Sequence, residues 1–114
     1  MPNPMSDQVI LALSTCPDET SARRIAQILV NEGLVACVNR IGAMASTYLW
    51  EGELRDESEI LLLMKTTAAG LPALQARLSA IHPYELPEFV AIPVVGGSAS
   101  YMAWVRSAIR VTGT

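Results

Sequence analysis

Hydrophobic and polar positions change period along this chain, and the changes mark its elements. From Asp7 to Ser14 the residues are short and mostly apolar (Asp-Gln-Val-Ile-Leu-Ala-Leu-Ser), which predicts a buried central strand. Thr15-Cys16-Pro17-Asp18-Glu19 breaks that strand and opens a helix, with Pro17 tolerated in a first turn and Asp18 and Glu19 suited to the positive end of the helix dipole. Ala22, Ile25, Ala26, Leu29 and Val30 then form one apolar stripe at helical spacing, and Gly33 supplies the stop. Leu34 to Asn39 is a second strand-like run. After a break at Gly42 the chain stays extended through Met44 to Trp50, turns at Glu51-Gly52, and returns as a strand that is polar from Glu53 to Glu59 and apolar from Ile60 to Met64. Leu71, Leu74, Leu78 and Ile81 mark a second helix with Pro72 in its first turn, ended by His82-Pro83. Phe89 to Val95 reads as a fourth strand. Gly96-Gly97 turns the chain, and Ser98 or Ser100 caps a last helix whose stripe is Tyr101, Trp104, Val105, Ala108 and Ile109.

The order βαββαβ plus one helix fits an α+β, ferredoxin-like sandwich with an extra C-terminal helix. Pro93 cannot donate to a ladder, so the fourth strand belongs at an edge, where this topology puts it. The second and third strands are too long for such a domain. Extended at about 3.3 Å per residue, Leu34 to Trp50 would reach roughly 50 Å, against a diameter of about 35 Å for a compact chain of this size. A long β2-β3 hairpin therefore projects. A lone two-stranded ribbon is marginal and leaves an adhesive edge, so it is expected to join a neighbouring copy and close a small cyclic oligomer; the alternative is a ribbon folded over its own sheet.

Composition sharpens that expectation. In 114 residues, 51% are hydrophobic and 17% charged, which is apolar for one small domain and leaves a surplus for a subunit interface. No apolar run is long enough to span a bilayer. The net charge of −3 and the scattered Lys and Arg residues give no footprint for nucleic acid. The start of the chain lacks the pattern of an export signal, residues 1 to 6 read as a frayed tail, and two cysteines fit free thiols in a reducing cytoplasm. One domain over residues 1–114 is expected.

Three side chains could hold a soft or borderline metal such as copper or zinc: Cys16, Cys37 and His82. Each has a plain alternative. Cys37 sits in an apolar strand as a small hydrophobe. Cys16 is either a thiol with its pKa lowered at a helix entry or an inert turn residue. His82 complements a helix C-terminus. The segment His82-Pro-Tyr-Glu-Leu-Pro-Glu88 is stiffened by two prolines and carries an imidazole, a phenol and two carboxylates, as a binding loop would or as a rigid connector would. No nucleophile–base pair and no phosphate loop is specified, so no catalytic residue and no organic cofactor is expected.

Taken together, Thr15-Cys-Pro-Asp-Glu, Leu34-Val-Ala-Cys-Val-Asn39, Ser46-Thr-Tyr-Leu-Trp-Glu-Gly52, Glu59, Lys65-Thr66, His82 to Glu88 and Tyr101 to Trp104 resemble the CutA family of divalent-cation tolerance proteins, in family order and from Val9 to Ile109. The resemblance implies a ferredoxin-like subunit and a stable homotrimer built by strand exchange. It also implies an architecture like the PII signalling proteins, an association with copper and other divalent cations, and no enzymatic activity. By position it makes Cys37 and His82 the leading metal candidates and Cys16 the third. It places Trp50, Glu59, Lys65, Tyr84, Glu88, Tyr101 and Trp104 at a cleft between subunits, open to a small ligand or a partner protein. Leu34-Val35-Ala36 departs from the more usual Leu-Ala-Ala, which affects packing only.

Overall fold

The computed structural model describes residues 7–110, and the tail expected at residues 1 to 6 lies outside them. The elements are β1 (Val9–Cys16), α1 (Glu19–Asn31), β2 (Cys37–Trp50), β3 (Glu53–Thr67), α2 (Leu71–Ile81), β4 (Val90–Pro93) and α3 (Ala99–Ala108). Local chemistry accounts for the boundaries. Asp18 is the N-cap of α1, its carboxylate accepting from the Ser21 N–H at 2.7 Å, and Gly33 takes φ 71° to end that helix. Ser98, rather than Ser100, caps α3 by accepting from the Tyr101 N–H. Glu51 and Gly52 both take positive φ, 51° and 80°, which matches the twist a two-residue hairpin turn needs.

One antiparallel sheet of order β2-β3-β1-β4 carries the chain, with β4 and Pro93 at an edge as expected. The architecture is ferredoxin-like. Several strand boundaries differ from the sequence reading: β1 starts at Val9 instead of Asp7, and β4 keeps only Val90–Pro93 of the expected Phe89 to Val95, the residues that pair with β1. Strand β1 runs two residues further, through Thr15 and Cys16, because both pair with β3 (Thr15 with Leu61, Cys16 with Ile60). Cys16 is therefore a buried strand residue, not a thiol at a helix entry. Strand β2 begins at Cys37, and the expected break at Gly42 is only a register irregularity between Ile41 and Met44 inside one long strand.

Cross-strand partners share a face. Ala12, Cys16, Leu62 and Met64 point to the helices and close against Ile25 and Leu29 of α1 and Leu74 and Leu78 of α2, all eight fully buried. The opposite face carries Leu11, Leu13, Leu61, Leu63, Lys65, Val90 and Ile92, continued on β2 by Cys37, Asn39 and Ile41. Only one end of it is covered, where Val105 of α3 packs on Val9. Val90, Ile92 and Ile41 are about half exposed. The α3 stripe read from the sequence is thus buried only at Val105, while Tyr101 and Trp104 stand out. Beyond the body, the β2-β3 arm extends the molecule to 49 × 28 × 25 Å, with Leu49 and Leu54 exposed on it.

Candidate functional site

At the end of β1, three elements meet. Helix α2 stops at His82, whose ring is pushed against the last residues of β1 because Pro83 forbids another helical turn. His82 Nε2 lies 2.7 Å from the Thr15 carbonyl, and its Nδ1 lies 3.0 Å from the Tyr84 backbone nitrogen. Those partners decide the tautomer. The carbonyl can only accept, so Nε2 carries the proton and donates; the backbone N–H can only donate, so Nδ1 is bare and accepts. The ring is neutral with both nitrogens used. Burial holds its pKa below the ordinary imidazole value, outweighing the Thr15 carbonyl and the Glu59 carboxylate, which favour the charged form.

Cys16 Sγ is 3.9 Å from His82 Nε2. Burial, then the charges of Asp18 and Glu59, push this thiol up to about 11, the reverse of an activated cysteine. Beside the pair, the Tyr84 hydroxyl donates to Glu59 Oε2 at 2.7 Å, and burial together with that bond raises the phenol pKa further above its usual value. The Tyr84 ring leans on His82 with centroids 4.9 Å apart. Glu59 is 6% exposed, so the polar half of β3 delivers a buried carboxylate.

Tyr84 and Glu59 also form the inner wall of a groove of about 990 Å³ between the arm and the segment 83–90. Trp50 and Tyr48 line it from β2, Arg55 from β3, and Glu88 from the segment after α2. Of the residues assigned to a cleft by resemblance, Trp50, Glu59, Tyr84 and Glu88 therefore come together here. Lys65, Tyr101 and Trp104 form a separate cluster on the open sheet face. The Lys65 ammonium donates to Asn39 Oδ1 at 2.8 Å and lies 5.6 Å from the centroid of the Tyr101 ring, which packs on Trp104 at 5.5 Å. Arg55 of the groove was not picked out in the sequence, while Thr15, whose carbonyl orients His82, and Tyr48 entered only as members of motifs and not as site residues. Period-two counting along β3 from Glu59 is the signal that could have found Arg55.

The three metal candidates do not converge within one chain. Cys37 faces Lys65, five register steps along the sheet from Cys16 and Ile60, which is roughly 17 Å along the strands. Among the described residues no group of three or more His, Cys, Asp and Glu side chains could hold an ion. Cys16 and His82 alone have compatible spacing, since bonds of about 2.3 Å to sulfur and 2.0 Å to nitrogen at a tetrahedral angle put two donors roughly 3.5 Å apart. The fit has a cost. An ion there displaces the thiol proton and the Nε2 proton and breaks the bond to Thr15.

The family model for "CutA1 divalent ion tolerance protein" matches residues 10–108. The chain belongs to the CutA family. The divalent-cation tolerance protein CutA of Thermus thermophilus is 46% identical over 96 residues, covering 84% of this chain and 93% of that protein. The crystal structure of CutA from Xylella fastidiosa superposes with a TM-score of 0.88 at 44% identity, covering 90% of this chain and 99% of that one. Some CutA relatives are longer: the chain spans 63% of the human protein, to which it is 40% identical over 92% of its own length. It spans 56% of the Arabidopsis thaliana protein named "Protein CutA, chloroplastic", at 37% identity over 89% of its own length. No described helix of this CutA chain is long and apolar enough to cross a membrane.

Proposed function

We propose that this CutA chain is a non-enzymatic divalent-cation tolerance protein that works as a cytoplasmic homotrimer and takes copper or another soft divalent ion at Cys16 and His82. The observation that carries the assembly is the open sheet face, whose aliphatic residues stand half exposed beside an arm that leaves the body. An apolar face of this kind marks an interface, and the match over residues 10–108 supports one domain per subunit. The spacing of Cys16 and His82, 3.9 Å at the buried end of β1, supports the ion site. Cys37 completes no site within a chain, so it ligates only if a neighbouring copy brings a second donor.

The test is a calorimetric titration of the reduced protein with Cu(I), Cu(II) and Zn(II), beside light scattering. One saturable site per subunit, lost in Cys16→Ser and in His82→Ala and kept in Cys37→Ser, supports the reading. Unchanged affinity in both variants removes these residues from the site. Because an ion must displace two protons, affinity rises with pH; a pH-independent constant counts against direct ligation.

A second reading is favoured by the groove of about 990 Å³, which is large enough for a metabolite. In it the protein is a sensor or scaffold, comparable in architecture to the PII proteins, that holds a small ligand or a partner segment where copies meet. A thermal-shift screen returning no stabilising ligand argues against it.

A further inference from the structure

Cys16 and His82 are shut in. Cys16 is fully buried and His82 is 8% exposed, and neither side chain lines the groove beside them. Thr15 of β1, Glu59 of β3 and Pro83 and Tyr84 of the segment after α2 do line it. Tyr84 touches both sides, since its ring also leans on His82. Thr15 and Glu59 belong to paired strands and cannot step aside without breaking a ladder.

The segment that carries Tyr84 is under no such constraint. Pro83 ends α2 and Pro87 has no N–H to donate, and residues 83–88 form neither helix nor strand. Among the described residues, two hydrogen bonds tie this segment to the body, and Tyr84 makes both. Its N–H donates to His82 Nδ1, and its hydroxyl donates to Glu59 Oε2. Pro83, Glu85, Leu86 and Glu88 are exposed. A stretch with no ladder and few buried side chains opens more readily than the core it covers.

We infer that Tyr84 is a gate between the groove and the Cys16–His82 pair. Moving its ring off His82 and its hydroxyl off Glu59 opens a way from the groove to the thiol and the imidazole. The bond to the Glu59 carboxylate is the main hold, so opening is rare while that bond stands and more frequent without it. The same movement withdraws the N–H from Nδ1 and frees the ring to give up the Thr15 carbonyl, as ligation through Nε2 requires. The inference rests on the proposed ion site only for what passes the gate; access to Cys16 needs no ion.

Alkylation of Cys16 tests the gate without metal. Cys37→Ser leaves Cys16 as the single thiol. In that background the full chain is treated with iodoacetamide at low urea, and the Cys16 peptide is followed by mass spectrometry. Light scattering on the same samples checks that assembly is unchanged. Local opening gives a rate that is flat in urea far below the unfolding midpoint. Tyr84→Phe raises that flat rate about tenfold. Glu59→Gln, which keeps an acceptor and loses the charge, raises it less. Val105→Ala is the control: it weakens the separate cluster around Val9 and leaves the flat rate unchanged. With copper as the probe, Tyr84→Phe raises the on- and off-rates by one factor and leaves Kd unchanged. Faster alkylation in a chain that binds no copper at Cys16 and His82 removes the ion site and keeps the gate. The inference is overturned if neither Tyr84→Phe nor Glu59→Gln speeds alkylation, or if Val105→Ala speeds it equally. A rate that climbs with urea from the start, as global unfolding does, overturns it too.

Discussion

The two faces of the sheet are built from the same residue types and have opposite fates. Ala12, Cys16, Leu62 and Met64 are closed under α1 and α2, while Leu11, Leu13, Leu61 and Leu63, one residue away on the same strands, look outward beside half-exposed Val90 and Ile92. Strand β1 pairs on both sides and is apolar on both faces, as a strand covered twice would be. The chain has helices enough for one face. The excess of apolar residues therefore collects on the face that the helices leave open.

Substitutions of equal chemistry on the two faces should separate those fates. Largest is the loss from the closed face: Leu62→Ala leaves a cavity among fully buried neighbours and costs about 2–5 kcal/mol of subunit stability, read as a lower denaturant midpoint. On the open face, Ile92→Asp should leave the far-ultraviolet spectrum unchanged and shift the light-scattering mass toward one chain. If Ile92→Asp unfolds the protein at high concentration, the two faces are not independent. Between the faces, Tyr84→Phe removes the bond to Glu59 and costs about 1–2 kcal/mol, a loss of several degrees in Tm.

The pH dependence is the finest probe of the closed face. His82 has a folded pKa below its ordinary 6.5, so the unfolded chain takes up the proton first as pH falls; stability declines below about 6.5, and His82→Gln removes that decline. Cys16 runs the other way. Its folded pKa of about 11 exceeds the ordinary 9.0, so the unfolded chain loses its proton first as pH rises; its contribution is held below pH 9 and lost between 9 and 11, and Cys16→Ala flattens that limb. Denaturant midpoints between pH 5 and 11 measure both.

Much of this was legible beforehand, for reasons that can be named. The α1 stripe reads correctly because one helix meets one core, and Pro93 announces an edge because a ladder cannot accept it. The arm is visible as arithmetic, two strands longer than the body that bears them. Two things were not legible. Strand β1 continues through Cys16 because β3 pairs with it there, a long-range effect that outweighs the local signal of Pro17. The α3 stripe has helical spacing, yet Tyr101 and Trp104 find no partner inside the subunit, and periodicity alone does not say which molecule covers a stripe. The candidate site was half legible: His82, Cys16, Tyr84 and Glu59 are brought together, but Cys37 and Lys65 lie further along the strands and on the face opposite Cys16, because nearness in the sheet follows register, which short motifs do not carry.

Pro93 has a last effect, on how far copies can add to one another. The Val94 N–H points inward to the Val9 carbonyl, so by alternation the nitrogen of Pro93 lies on the outer rim of β4, where an incoming strand would need a donor and meets none. The other rim, along β2, is fourteen residues of unbroken backbone. A long sticky edge facing a short blunted one cannot be copied end to end, and endless edge-on-edge stacking is the route by which sheet proteins become fibres. One ring nitrogen thus blunts the edge of β4 against runaway edge-on stacking.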